Sequence, residues 1–245
     1  MKRTLSTQIK QAPGSRGKRT TRSQAKRAAV TRIKRTVGSQ VQNERLVSER
    51  REDIIRAAII VFHRLGFHVA TTADIAKEAG LTQSNLYNYV NSKQDVLFLV
   101  CVHLTGLYDR SLDEVIERYH DSYSRLVESL KAITNVIITY SDEVQLLYNE
   151  THALDKRDRK AILELVSTFI SRLQALLTEY EKEYGPIRFK NKRLAANLLS
   201  FVPAIVSLRR WDLASDDVDD TVQSISDFVL SGLKIPNHSK EVVKP

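Results

Sequence analysis

Apolar residues recur along most of this chain at three- and four-residue intervals, a spacing that predicts helices from about residue 46 to 236. Ile54, Ala58, Val61, Phe62 and Leu65 fall at i, i+4, i+7, i+8 and i+11, the stripe of an amphipathic helix. Gly66 stops it, and Phe67 stands where a Schellman cap places its hydrophobic contact. "TTADIAKEAG" predicts a second, short helix with Thr72 as N-cap and Asp74 at the positive end, closed by Gly80. Only Gly80, Leu81 and Thr82 separate it from a third helix that Thr82 caps. Ser92 with Asp95 then predicts another start in the manner of a capping box. Two short helices joined by a three- to four-residue turn with glycine form the helix-turn-helix pattern.

Beyond residue 93 the same period continues. Leu97, Val100, Leu104, Leu107, Leu112, Val115, Ile116 and Tyr119 predict a helix that joins the compact unit to the rest. Leu126 to Tyr140 predicts another, Leu146 to Glu150 a short one, and Asp155 to Tyr184 a long one of about 45 Å stopped at Gly185-Pro186. A helix from about Asn191 to Trp211 contains Pro203, which should kink it and could widen a cavity nearby. The last helix follows Ser215 with Asp216 and Asp217 in its first turn. Strand signals are absent, so the expected class is all-α with five or six helices in this part. The expected organisation is an arm at 1–45, a helix-turn-helix domain at 46–93, a larger helical domain at 94–236 and a short tail at 237–245.

Charge changes the picture at one end. The first 50 residues hold 14 Lys and Arg against Glu44 and Glu49, so the remaining 195 carry −3 of the chain's net +9. The segment Pro13 to Arg35 is rich in Arg, Lys, Ser and Thr and poor in large apolar groups, a composition expected to stay disordered when free. A basic arm suits phosphate; the same composition also fits a transit peptide or a solubilising tail. The single cysteine, Cys101, excludes an intrachain disulfide and reads as a small buried hydrophobe in a reduced compartment. No apolar run approaches the ~18 residues of a membrane span and no apolar leader core is evident, so a cytoplasmic protein with no membrane partner is expected.

"AGLTQSNLYNYVNSK", Ala79 to Lys93, holds no acid, histidine or cysteine. Turning about 100° per residue with Leu86 inward brings Val90 beside it and leaves Gln83, Ser84, Asn85, Tyr87 and Asn88 outward. Asn and Gln amides pair with adenine's donor and acceptor in the major groove. Tyrosine hydroxyls and N-terminal backbone amides suit phosphate oxygens. The bland alternative is a solvated helix, but such helices usually carry Glu and Lys. No nucleophile elbow, phosphate loop or paired metal spacing occurs. Glu150-Thr151-His152 is the nearest approach to a ligand pair, and His152 reads as a surface or capping residue. His63, His68, His103, His120 and His238 are scattered. No enzyme, cofactor or metal site is expected.

The stretch Ile54 to Val100 resembles the DNA-binding region of TetR-family regulators. The match rests on Gly66-Phe67, Thr71-Thr72-x-x-Ile75-Ala76, Ala79-Gly80, Leu86-Tyr87, Tyr89, and Lys93 before Val96-Leu97. The resemblance implies that Thr72, Tyr87, Tyr89 and Lys93 hold the phosphate backbone and that Gln83, Ser84, Asn85 and Asn88 lie on the recognition helix. Ala73 stands where some members carry a base-contacting Arg, so that contact is missing, and the wheel places Tyr89 toward the core.

The resemblance also implies homodimerisation on the last two helices, through Leu198, Val202, Ile205, Ile225, Phe228 and Val229, and hence a palindromic double-stranded operator with two half-sites. It implies a repressor released by a small-molecule effector. The C-terminal part resembles the fatty-acid and acyl-CoA-responsive branch. Tyr108, Tyr119, Tyr140, Tyr148, Phe169 and Phe201 could line an apolar tunnel and Arg209 meet an anionic head group. The alternatives are a sequence-independent DNA-coating protein that works through its arm, and a regulator of unrelated, drug-like ligands.

Overall fold

A computed structural model of the chain describes residues 37–40, 43–236 and 238. The stretch expected to be disordered, residues 13–35, lies outside the described residues, as does nearly all of the 237–245 tail. Among the described residues there are eleven α-helices, two 3₁₀ turns and no strand. The first three, α1 (Glu44–Leu65), α2 (Thr72–Glu78) and α3 (Gln83–Tyr87), form the compact unit. They pack around Ile54, Ala58, Val61, Phe62, Ile75, Ala76, Leu86 and Val90, all buried.

The caps explain the boundaries. Gly66 takes φ +78° and ψ 149°, so the chain leaves α1 extended rather than through the left-handed turn of a Schellman cap; Phe67 still packs edge-on against Phe62, ring centroids 5.1 Å apart. The Schellman geometry occurs instead at Gly80 (φ +66°), where Gly80 N donates to Lys77 O at 3.2 Å and Leu81 N to Ala76 O at 2.8 Å. The N-cap of α2 is Thr71, not Thr72: its hydroxyl accepts from Asp74 N, and the Asp74 carboxylate accepts from Thr71 N and Oγ in return. Those two bonds from Thr71 hold the Asp74 carboxyl below its usual range. Thr72 is thereby left free to face outward.

The body follows: α4 (Lys93–Arg118), α5 (Ser122–Thr139), α6 (Ser141–Glu150), α7 (Lys156–Tyr184), α8 (Lys192–Phe201), α9 (Ile205–Leu208), α10 (Arg210–Leu213) and α11 (Val218–Gly232). Helix α4 packs on α1 as well as on α5, α6 and α7, so the compact unit and the body share one continuous helix. The core of the body is Leu104, Leu112, Leu126, Leu130, Ile133, Ile137, Leu173, Leu177 and Leu199. Pro203 does more than kink its helix. It lacks the N–H that would bond Leu199 and its ring crowds that carbonyl; α8 ends at Phe201 and residues Val202–Ala204 form a 3₁₀ turn before α9. This raises the helix number of the body above the five or six expected.

Helix α7 contains an 18-residue window of mean hydropathy 1.3, apolar enough by length and composition to cross a membrane, contrary to the expectation that no stretch would qualify. Arg172 on α7 bonds Asp109 at 2.7 Å and Asp113 on α4, and the neighbouring positions Phe169, Leu173 and Leu177 are buried, with Phe169 stacked on Tyr108 of α4, so this helix packs within the fold.

Candidate nucleic-acid interface

Helix α3 is held down by Leu86, fully buried, and capped by Thr82, whose hydroxyl accepts from Asn85 N at 3.2 Å. Gln83, Ser84, Asn85 and Tyr87 are exposed, as the wheel predicted. The Tyr87 hydroxyl lies 3.0 Å from the Thr72 hydroxyl, and Gln83 Nε2 donates to that same oxygen at 3.2 Å. Thr72, Tyr87 and Gln83 therefore form one hydrogen-bonded group spanning α2 and α3. Asn88 is half-buried and caps the C-terminus of α3.

Two of the residues expected to hold phosphate are engaged within the fold. Tyr89 is 9% exposed; its ring belongs to the core, and its carbonyl accepts from the Arg51 guanidinium at 2.9 and 3.2 Å. The Lys93 ammonium is spent within the fold: it donates to the carbonyls of Phe67, His68 and Ala70 at 2.7, 3.0 and 2.7 Å and sits 4.7 Å from the Phe67 ring centroid. It closes the loop between α1 and α2 by satisfying three carbonyls that no helix serves.

Arg51 was not foreseen as a site residue. Its guanidinium also donates to Val37 O and to Gly38 O (2.5 and 3.1 Å), while Ser39 Oγ and Gln40 N both donate to Asn88 O at 2.8 and 2.9 Å. The described segment Val37–Gln40 is thus fastened to the C-terminal end of α3. No sequence signal pointed to this, because the partners are backbone carbonyls.

The residues expected to bind ligand divide. Tyr108 stacks on Phe169 with centroids 5.1 Å apart, and Tyr148 meets Phe201 edge-on at 5.6 Å. Burial, with Tyr148 and Glu143 nearby, pushes the Tyr108 phenol up; burial likewise raises Glu143. These four aromatics come together. Three do not join them. Tyr119 caps α4 and lines a cleft of about 650 Å³ with Glu114, Lys131 and Gln223; Tyr140 lies against His103; and Arg209 is exposed with its guanidinium over Trp211, 5.9 Å from the ring. The cavity expected near Pro203 does not include that residue in either of two described clefts.

Of the residues expected at a dimer face, Phe228 is 70% exposed and Ile205 is exposed, while Leu198, Val202 and Ile225 are half-buried. Val229 is corrected: at 4% exposed it belongs to the core of its own chain. Trp211, outside that set, is 77% exposed. Cys101 is buried, and that burial pushes its thiol up to about 12, so it packs rather than reacts.

The fold and this face have the helix-turn-helix arrangement. Residues 54–100 match the family described as bacterial regulatory proteins, tetR family. It is 30% identical over 133 residues to the HTH-type transcriptional regulator HbdR of Aromatoleum sp. (strain CIB), covering 54% of this chain and 58% of HbdR. The chain thus spans under two thirds of that relative's length. Among solved structures it is similar to the TetR-family regulator PfmR of Thermus thermophilus, with TM-score 0.64, 17% identity, and 73% and 97% of the two chains covered. It is also similar to FadR of Bacillus subtilis in complex with stearoyl-CoA, with TM-score 0.61, 19% identity, and 74% and 98% covered. These relatives are regulators rather than enzymes, and at such identities the solved structures speak for the fold.

Proposed function

We propose that the protein is a homodimeric, sequence-specific DNA-binding transcriptional regulator of the cytoplasm, a repressor that a small hydrophobic or acyl-CoA-like ligand releases from a palindromic operator. The observation that carries the reading is the uncharged, exposed surface of α3 joined to α2 through Thr72, Tyr87 and Gln83. Gln83, Ser84 and Asn85 offer exposed donors and acceptors of the kind that pair with base edges. Tyr87 and Thr72, each half of one hydroxyl pair, offer oxygen-bonding groups to phosphate.

A second copy is supported by Ile205, Trp211 and Phe228, large apolar side chains exposed between α9 and α11. The effector reading is supported by the Tyr108, Phe169, Tyr148 and Phe201 rings, and by the stearoyl-CoA bound in the similar B. subtilis FadR. An effector acts only through unequal affinity for the two DNA-binding geometries, and α4, shared by both parts, is the element it would move.

Selection from a pool of random duplexes tests the proposal. Enrichment of a palindrome with half-sites about one helical turn apart or more is expected. Recovery of no preferred sequence would leave the second reading, sequence-independent coating through the basic arm, which the charge of residues 1–50 supports.

A further inference from the structure

Three potential ligands, from two distant segments of the chain, meet beside the compact unit. His68 lies in the loop between α1 and α2, Glu150 ends α6, and His152 sits in the 3₁₀ turn Thr151–Ala153. One donor atom from each lies within 4.8 Å of the other two. His68 Nε2 is 3.3 Å from Glu150 Oε2, and the His68 and His152 rings are 6.3 Å apart. Glu150 Oε2 is buried yet makes no hydrogen bond, although the imidazole stands next to it. A buried acceptor without a bond is costly and calls for a partner.

We infer that His68, Glu150 and His152 form a binding site for a divalent transition-metal ion of the Zn²⁺ class, tying the helix-turn-helix unit to α6. Two imidazole nitrogens and one carboxylate oxygen are the donor set such ions take, with a fourth position left to water. Tetrahedral bonds of about 2.1 Å put ligand atoms about 3.4 Å apart, so the cluster closes by about 1 Å. The exposed His68 side chain is free to make that movement. Its backbone is not: Lys93 holds the His68 carbonyl at 3.0 Å. The 3₁₀ turn fixes the spacing of Glu150 and His152 in the same way, with Thr151 Oγ donating to Leu147 O.

The placement gives the ion a consequence that rests on the DNA-binding reading. His63 on α1 also faces α6, with Nδ1 3.2 Å from Asp142 Oδ1, so histidines of the compact unit meet α6 at two points. A metal at the second point would make that joint rigid and shift the population of geometries that fit DNA.

The test is a titration of the full chain with ZnCl₂ against a competing chelating dye. One ion per protomer is expected, bound in the micromolar range or tighter. His68→Ala and His152→Ala should each weaken it by ~10-fold or more, while His120→Ala, a change at an exposed histidine outside the cluster, should not. Glu150→Gln, which keeps the shape, should weaken it as well. Zn²⁺ binding no tighter in the unchanged protein than in His68→Ala would reduce the cluster to an ion pair and overturn the site. In a second arm, DNA affinity is compared with Zn²⁺ and with chelator. A change of roughly 3-fold or more in the unchanged protein, absent in His68→Ala, is expected. No change would overturn the coupling. Zn²⁺ binding without any DNA preference would instead count against the DNA reading and leave the site standing.

Discussion

On the compact unit the outward side chains Thr72, Tyr87 and Gln83 are already bonded to one another; on α9 to α11 the exposed Ile205, Trp211 and Phe228 are large and apolar. The first surface is ordered before anything binds and loses little side-chain entropy when water is replaced by base edges and phosphates. The second gains by leaving water and suits a surface like itself. Polar preorganisation in one region and uncovered apolar area in the other point to two different kinds of partner.

The largest effect should come from breaking the apolar side. Phe228→Asp places a charge where the proposal puts a dimer face and should weaken self-association by about 2–4 kcal/mol. Sedimentation equilibrium reads this directly; an unchanged dimer would move the interface elsewhere. Next comes Lys93→Met. Its ammonium satisfies three loop carbonyls, so the change should destabilise the fold by about 2–3 kcal/mol in urea denaturation. If stability were untouched while DNA affinity fell, Lys93 would be a phosphate contact after all.

A pair of substitutions on α3 sharpens the polar side. Asn85→Ala should cost about 1–3 kcal/mol on the preferred sequence and alter which base is chosen. Tyr87→Phe removes one hydroxyl and should cost about 1 kcal/mol on all sequences alike. Binding to a panel of single-base operator variants separates the two.

The smallest effect is a pH dependence at His103, between α4 and α1. Burial, then Arg110, lowers its pKa below 6.5, partly opposed by Glu52. The unfolded chain therefore binds the proton more readily. Stability is complete above about pH 6.5 and falls as pH drops through the window below it. Thermal melts of His103→Gln should lose that part of the acid sensitivity.

Much of the fold was legible because helical period and caps are local. Gly80, Thr82, Ser92 and Asp155 all stop or start helices where the sequence placed them. The exposed face of α3 was legible for the same reason, since Leu86 alone fixes which side is down. What was not legible depends on contacts far apart in the chain. Lys93 and Arg51 bond backbone carbonyls, which carry no residue identity, and His68 meets Glu150 across more than 80 positions. Thr71 took the cap assigned to Thr72, because Asp74 answers it three residues on. Val229 and Phe228 are neighbours on an apolar helix, and a one-residue turn of about 100° sends one into the core and the other to solvent.

The central claim is that α3, and not the basic arm, carries sequence preference. Deleting residues 1–36 keeps the Val37–Gln40 segment that Arg51 fastens beside α3. Affinity for the selected operator and for random duplex is then measured across a salt series, with and without the deletion. The account predicts weaker binding and a shallower salt slope on both DNAs, with the operator-to-random ratio preserved. A ratio that falls to near one would contradict it.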